Sequence, residues 1–312
     1  MKARTLLTLA TCMASAMPTI LYAGNADSSK SQSGVDFYVA SDNDGFVTRR
    51  ATVDYLLPID ESEYSWGGGV RRHEFRQGAW SRKANQIFVR GEKNDDQAWS
   101  FKGEVGVLEQ NALPLITMDA TLRLPISEST AVEAFASREY VETADSLDRG
   151  IHATFAGVRL EQALNPHLTA IGTAGYQEFS DGNHRVHGRA RLIYQPFLGY
   201  GLTLQARYSH YESGDAEVRR PYFNPDKYEE GMLFVGWRKH GPRTSVAALA
   251  GLGRQYVNDE PGTPTHLFEL NAKHHFTKTS TLSVRAGVSQ GAAAGGPDQR
   301  SQYLNLGWNK RF

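Results

Sequence analysis

The 312-residue chain carries 34 Lys plus Arg against 34 Asp plus Glu, so it is formally neutral and lacks the basic excess of a nucleic-acid-binding protein. Its one cysteine, Cys12, excludes a disulfide framework, and beyond the N-terminus there is no run of about 18 apolar residues to cross a bilayer as a helix. The chain is therefore either a soluble exported protein or one that crosses a membrane as β-strands.

Export is read from the first residues. "MKARTLLTLATCMASAMPTILYAGNADSS" begins with Lys2 and Arg4, runs through an apolar stretch and reaches small residues at Ala23 and Ala26. This is the layout of a signal peptide over 1–23, with cleavage at Ala23 or as late as Ala26. "LATC" loosely resembles a lipoprotein site, but Thr11 is a poor neighbour for a lipidated cysteine and the apolar run continues through Ile20 and Leu21. Residues 24–34 follow as a short periplasmic segment. The mature chain then has no cysteine, and closed hydrogen bonding has to replace disulfides as the stabilising device.

From Val35 to Phe312, segments of about 10 residues recur, the length that a tilted membrane-spanning strand needs. They begin with "VDFYVAS", "VTRRATVDYLL" and "EYSWGGGVRRHEF" and end with "TLSVRAGVSQ" and "SQYLNLGWNKRF", sixteen in all. The expected fold is all-β, a 16-stranded antiparallel transmembrane β-barrel of the bacterial outer membrane over 35–312. Alternation is clear in "ITMDATLRL", which sets Ile116, Met118, Ala120, Leu122 and Leu124 against Thr117, Asp119, Thr121 and Arg123. "TAVEAFASREY" and "HATFAGVRL" have mixed faces. Even-numbered connections such as "PIDES", "LNP" and "HGPR" are turn-like. Odd-numbered ones include "VETADSLDR", "SGDAEVRRPYFNPDKYEE", "VNDEPGTP" and "GAAAGGPDQR". Sorting short turns to one side and long loops to the other is a property of outer-membrane barrels, and it places both termini in the periplasm.

The wet faces carry Asp36, Arg50, Asp54, Arg71, Lys102, Glu104, Asp119, Arg123, Arg189, Arg191, Arg207, Glu269, Lys273, Arg285 and Arg311. An Arg or Lys facing lipid costs about 2–4 kcal/mol near the midplane, so these residues are expected to line the lumen, most of them paired with one another to brace the wall. Sixteen strands about 4.8 Å apart and tilted about 40° enclose a backbone diameter of about 30 Å, which is wide enough for an aqueous pore.

Two stretches carry resemblances. "NLGWNKRF" resembles the C-terminal assembly signal of outer-membrane barrels through Asn305, Gly307 and Phe312, with Lys310 standing where an apolar residue is usual. "RRPYFNPDKYEEGML" resembles the aromatic, Asn-Pro-containing loop in the C-terminal barrels of exopolysaccharide-export porins, the type of cellulose synthase operon protein C and the poly-N-acetylglucosamine export porin. The matching residues are Tyr222, Phe223, Asn224, Pro225 and Tyr228. The resemblance implies an outer-membrane channel for a polysaccharide, with that loop as a sugar-binding surface at the outer mouth. It also departs from the family, since "GNADSSKSQSG" stands where the long periplasmic repeat array would be, so the scaffold that captures polymer is expected to be either a separate periplasmic scaffold protein or dispensable. Outer-membrane lipid and the barrel-assembly machinery are the other expected partners, and no nucleic acid is among them.

Rival readings are a generic monomeric diffusion channel, a surface receptor or an outer-membrane hydrolase. His73, His152, His184, His187, His210, His274 and His275 show no spacing that ties one of them to a nucleophile and an orienting carboxylate, so no catalysis is expected. "SDNDG" at 41–45 reads as a hairpin turn and lacks most ligands of a calcium loop, and no metal or cofactor is expected. No early connection looks long enough to fold inward as the constriction of a diffusion porin.

Overall fold

The structure is a computed structural model that describes residues 31–59, 64–93, 98–109, 114–214 and 218–312. The expected signal peptide over 1–23 and residues 24–30 of the expected segment over 24–34 lie outside the described residues, and β1 already takes up that segment's last residues from Gln32.

Among the described residues, sixteen strands pair in chain order, and the last pairs with the first to close one antiparallel barrel. They are β1 (Gln32–Asp42), β2 (Phe46–Pro58), β3 (Tyr64–Gln77), β4 (Trp80–Lys93), β5 (Ser100–Glu109), β6 (Leu115–Pro125), β7 (Thr130–Tyr140), β8 (His152–Asn165), β9 (Leu168–Phe179), β10 (His184–Tyr194), β11 (Leu202–Ser213), β12 (Lys227–His240), β13 (Thr244–Val257), β14 (Thr263–His275), β15 (Ser280–Ala293) and β16 (Gly296–Arg311). One short helix, α1 (Ala144–Arg149), sits in the connection between β7 and β8. The end of the barrel that carries the odd-numbered connections is called the loop end below, and the other the turn end.

The period-two pattern becomes two faces of the wall. Val53, Val70, Ile87, Val107 and Ile116 stand side by side across β2 to β6 in register. All five project outward, with exposures of 55%, 56%, 70%, 44% and 62%. Leu233 and Leu252 continue the belt on β12 and β13 at 70% and 73%. An apolar surface that runs around a whole barrel is far beyond what a water-soluble monomer tolerates. In hydrocarbon it is satisfied, and closure leaves no unpaired strand edge to face lipid. The barrel is therefore a membrane-spanning one.

The inner face is polar and hydrogen-bonded, and the wall is thinned by glycine where chains approach closely. A Cβ on Gly67 would stand 1.8 Å from the Tyr55 carbonyl oxygen on the paired strand β2, so only glycine fits there.

Two expected boundaries move. β12 begins at Lys227, not near Gly231, which puts Tyr228 inside a strand. "GAAAGGPDQR" is not a long loop, because β15 runs to Ala293 and β16 starts at Gly296. Ala and Gly have weak strand preference, but tertiary bonds override it: Gln255 on β13 accepts from Ala292 N at 2.7 Å and donates to Pro297 O at 2.5 Å.

Candidate functional site

At the loop end three elements fold inward and meet. The first is α1. Thr143 caps its N-terminus, accepting from Ser146 N at 3.2 Å, and Gly150 ends it in the left-handed conformation at φ +68°. These two caps fix a helix of only six residues so that Leu147 points at the wall, where it is fully buried among Phe46, Phe75, Ala84, Leu108, Leu115 and Tyr140. Ion pairs latch both sides of the helix. Arg50 on β2 meets Glu142 at 2.5 Å, while Arg82 on β4 meets Asp148 at 2.7 Å, with Trp80 donating to the same carboxylate at 3.1 Å. The Arg82 hydrogen bond holds the Asp148 carboxyl below the usual carboxylate range.

The second element is the segment from Val218 to Asp226. Tyr222 stacks on Phe179 with ring centroids 4.6 Å apart, and it packs with Val141, Ile151 and Ala153. Its hydroxyl donates to Asp181 at 3.1 Å and accepts from Asn183 at 3.1 Å, and burial pushes its pKa up to about 12, so it stays a donor at neutral pH. Asn224 accepts from Asn183 at 2.7 Å, Arg220 pairs with Asp181 at 3.1 Å, and Arg185 donates to the Phe223 carbonyl. Pro225 is buried beside them. The third element is the tip of the β15–β16 hairpin, whose Ala294 carbonyl accepts from Phe223 N at 2.8 Å. Helix and segment touch through Thr143 and Ser146, whose hydroxyls donate to the Pro221 carbonyl at 2.7 and 3.1 Å.

Beneath this cover lies a cavity of about 130 Å³. Its walls combine rings (Phe155, Phe179, Tyr211, Phe223, Phe234) with Arg185, Arg189, Arg207, Glu139, Glu230 and Gln177. Arg207 lies over the Phe234 ring at 4.0 Å and donates to Gln205 at 3.0 Å, and Arg191 donates to the same Gln205 oxygen at 2.8 Å. Tyr228 stacks on Tyr211 at 4.9 Å. Of the five loop residues marked by the sequence, Tyr222, Asn224, Pro225 and Tyr228 are thus engaged by the protein itself, and Phe223 is the half-exposed ring that borders the cavity.

Several of the charged residues marked in the sequence are braced by ion pairs, and for the others the register gives the neighbour across the strand. Arg71 meets Glu104 at 2.8 Å, Arg90 meets Asp54 at 2.5 Å, and Arg123 meets Glu161 at 3.2 Å. Arg285 meets Glu269 at 2.6 Å, and Glu269 also accepts from Tyr303 and Asn271. Lys102 stands in register opposite Glu92, Asp119 opposite Glu104, Arg189 opposite Ser209, Lys273 opposite Ser245 and Ser283, and Arg311 opposite Gln32. At the closing seam Asn305 donates to both oxygens of Asp36 at 2.9 Å, and Gly307 lies opposite Asp36. Phe312 N donates to Ser31 O at 2.9 Å, and Lys310 covers the Phe312 ring at 5.1 Å. Among the described residues, no group of three or more His, Cys, Asp or Glu side chains is arranged to hold a metal ion.

The inward fold of α1, in the seventh connection, is not foreseen from the sequence, which marks "VETADSLDR" only as a long loop. Its signal was present in "VETADSLDRG", where Thr143 and Gly150 bracket a single large apolar residue, Leu147.

The closed, sixteen-strand wall with its outward apolar belt decides the fold. The chain has the fold of an outer-membrane β-barrel. Among solved structures it superposes on a bacterial polysaccharide outer membrane secretin with a TM-score of 0.71 at 11% identity, covering 91% of this chain and 99% of that one. Looser matches include OmpT of Vibrio cholerae, with a TM-score of 0.44 at 12% identity over 90% of this chain and 96% of that one. OprD of Pseudomonas aeruginosa gives 0.46 at 9% identity over 92% and 98%. At such identities the likeness is one of fold. No family model matches the chain, and no curated protein matches it in sequence.

Proposed function

We propose that this outer-membrane barrel is an export channel for an exopolysaccharide, with its loop end outward and a separate periplasmic scaffold protein delivering polymer to the turn end. The observation that carries the reading is the cavity under the inward-folded cover. Ring faces suit the apolar faces of sugars, and the Arg, Glu and Gln side chains between them suit hydroxyl groups. Both signs of charge line it, with Arg185, Arg189 and Arg207 beside Glu139 and Glu230, which favours a neutral polymer over a strongly charged one. The fold likeness to a polysaccharide secretin and the "YFNP" resemblance agree with it.

In this reading the cover is the resting state and moves aside when polymer arrives. Purified barrel in planar bilayers, challenged from the turn-end side with neutral oligosaccharides, should show transient current blockades that shorten in Phe223→Ala. Unblocked current in the presence of every oligosaccharide, with ordinary ion conduction, would favour a generic diffusion channel whose constriction is α1.

A further inference from the structure

We infer that the outward face of β2, β3 and β4 at the loop end is a binding site for the phosphate groups of a membrane glycolipid. The inference rests on the reading of the barrel as an outer-membrane protein with its loop end outward.

Arg49, Arg72, Arg76 and Lys83 are all exposed and all on this face. Register places Ala51, Arg72 and Asn85 in one row across the three strands, Arg49, Glu74 and Lys83 in the next, and Val47, Arg76 and Ser81 in the third. With strands about 4.8 Å apart and alternate residues about 6.8 Å apart, the four cations fall in an area of roughly 10 by 14 Å. Glu74 is the one anion within it, 3.9 Å from Arg49 and 3.1 Å from Arg76, and Glu109 bounds the patch on β5 opposite Asn85. Among the described residues Arg72 and Lys83 have no side-chain partner.

The row just below, toward the turn end, is Val53, Val70 and Ile87, the apolar belt itself. The cationic heads therefore stand where the hydrocarbon ends, their stems lying along apolar wall, as interfacial Arg and Lys do. A ligand that fits must be anionic above and apolar below. Three guanidinium forks beside an ammonium suit phosphate oxygens, and the Val and Ile surface beneath suits acyl chains. On the opposite wall the corresponding charges are tied up within the protein. On β12 Lys227 meets Glu229 at 3.3 Å, and Tyr208 on β11 donates to that glutamate at 2.7 Å.

The test compares refolded wild-type barrel with the double variant Arg72→Gln, Lys83→Gln in phosphatidylcholine vesicles doped with a bis-phosphorylated glucosamine glycolipid, and counts the glycolipid retained by native mass spectrometry. Both proteins should insert and shift on heating alike, while the variant loses glycolipid retention by about tenfold and Arg254→Gln, outward on β13, loses none. Dephosphorylated glycolipid should be retained by wild type as poorly as by the variant, and millimolar inorganic phosphate should not displace the lipid. Equal retention by variant and wild type, or displacement by inorganic phosphate, would overturn the inference. A wild-type barrel that fails to insert in any vesicle would instead overturn the membrane reading.

Discussion

Glu142, just beyond the end of β7, reaches across the loop end to Arg50 on β2 and forms an ion pair at 2.5 Å in which the side chains are only 14% and 17% exposed. Thr48 donates to the same carboxylate at 3.1 Å. This pair and the Asp148–Arg82 pair hold α1 over the lumen from opposite sides, and Leu147 anchors it between them.

Loosening the first latch should open the mouth. A hydrogen bond to a charged group contributes about 1.5–3 kcal/mol, so Glu142→Gln should raise the population with α1 displaced by about ten- to a hundredfold. Single-channel recordings read this as a longer open time with the same folded yield. An unchanged open time would mean that α1 is held by Leu147 alone.

The second latch gives a pH dependence with a definite sign. The folded Asp148 carboxyl titrates below its unfolded value because Arg82 and Trp80 donate to it. Its contribution is therefore fully present above the unfolded carboxylate pKa of about 4 and is lost as pH falls through the lower, folded value. Channel opening should be flat from neutral pH down to about pH 4 and rise only on further acidification, and Asp148→Asn should open at neutral pH.

Closure of the barrel makes its own demand. Asn305 is the side-chain donor to both oxygens of Asp36 across the β1–β16 seam. Asn305→Ala should lower stability by about 1.5–3 kcal/mol in urea unfolding, with the slope unchanged. A change in slope without a change in midpoint would mean that the seam opens before the rest of the wall.

The wall was legible because lipid and lumen impose opposite demands on alternate residues. Ile116 and Leu124 against Thr117 and Arg123 state the outward and inward faces of β6 with no knowledge of neighbours. β7 was harder, since Ala134 and Ala136 fit lipid yet carry little apolar signal. The loop end was the least legible part. Tyr222, Phe223 and Tyr228 stand out in sequence, but only the fold shows Tyr222 seated on Phe179 and Tyr228 on Tyr211, with Phe223 left toward the cavity. The ion pairs could not be assigned from sequence either, because the partner of Arg50 lies in a connection and that of Arg71 two strands away.

Polymer release measured directly is the sharpest test of the export reading. In a host strain lacking this chain, polysaccharide should accumulate in the periplasm and fall in the medium, and the wild-type barrel should restore release. A barrel with cysteines at Ser146 and Pro221, joined by a short thiol crosslink so that α1 stays on the segment carrying Tyr222, should block release until the crosslink is reduced. Normal extracellular polysaccharide without periplasmic accumulation in the strain lacking the chain would contradict the reading.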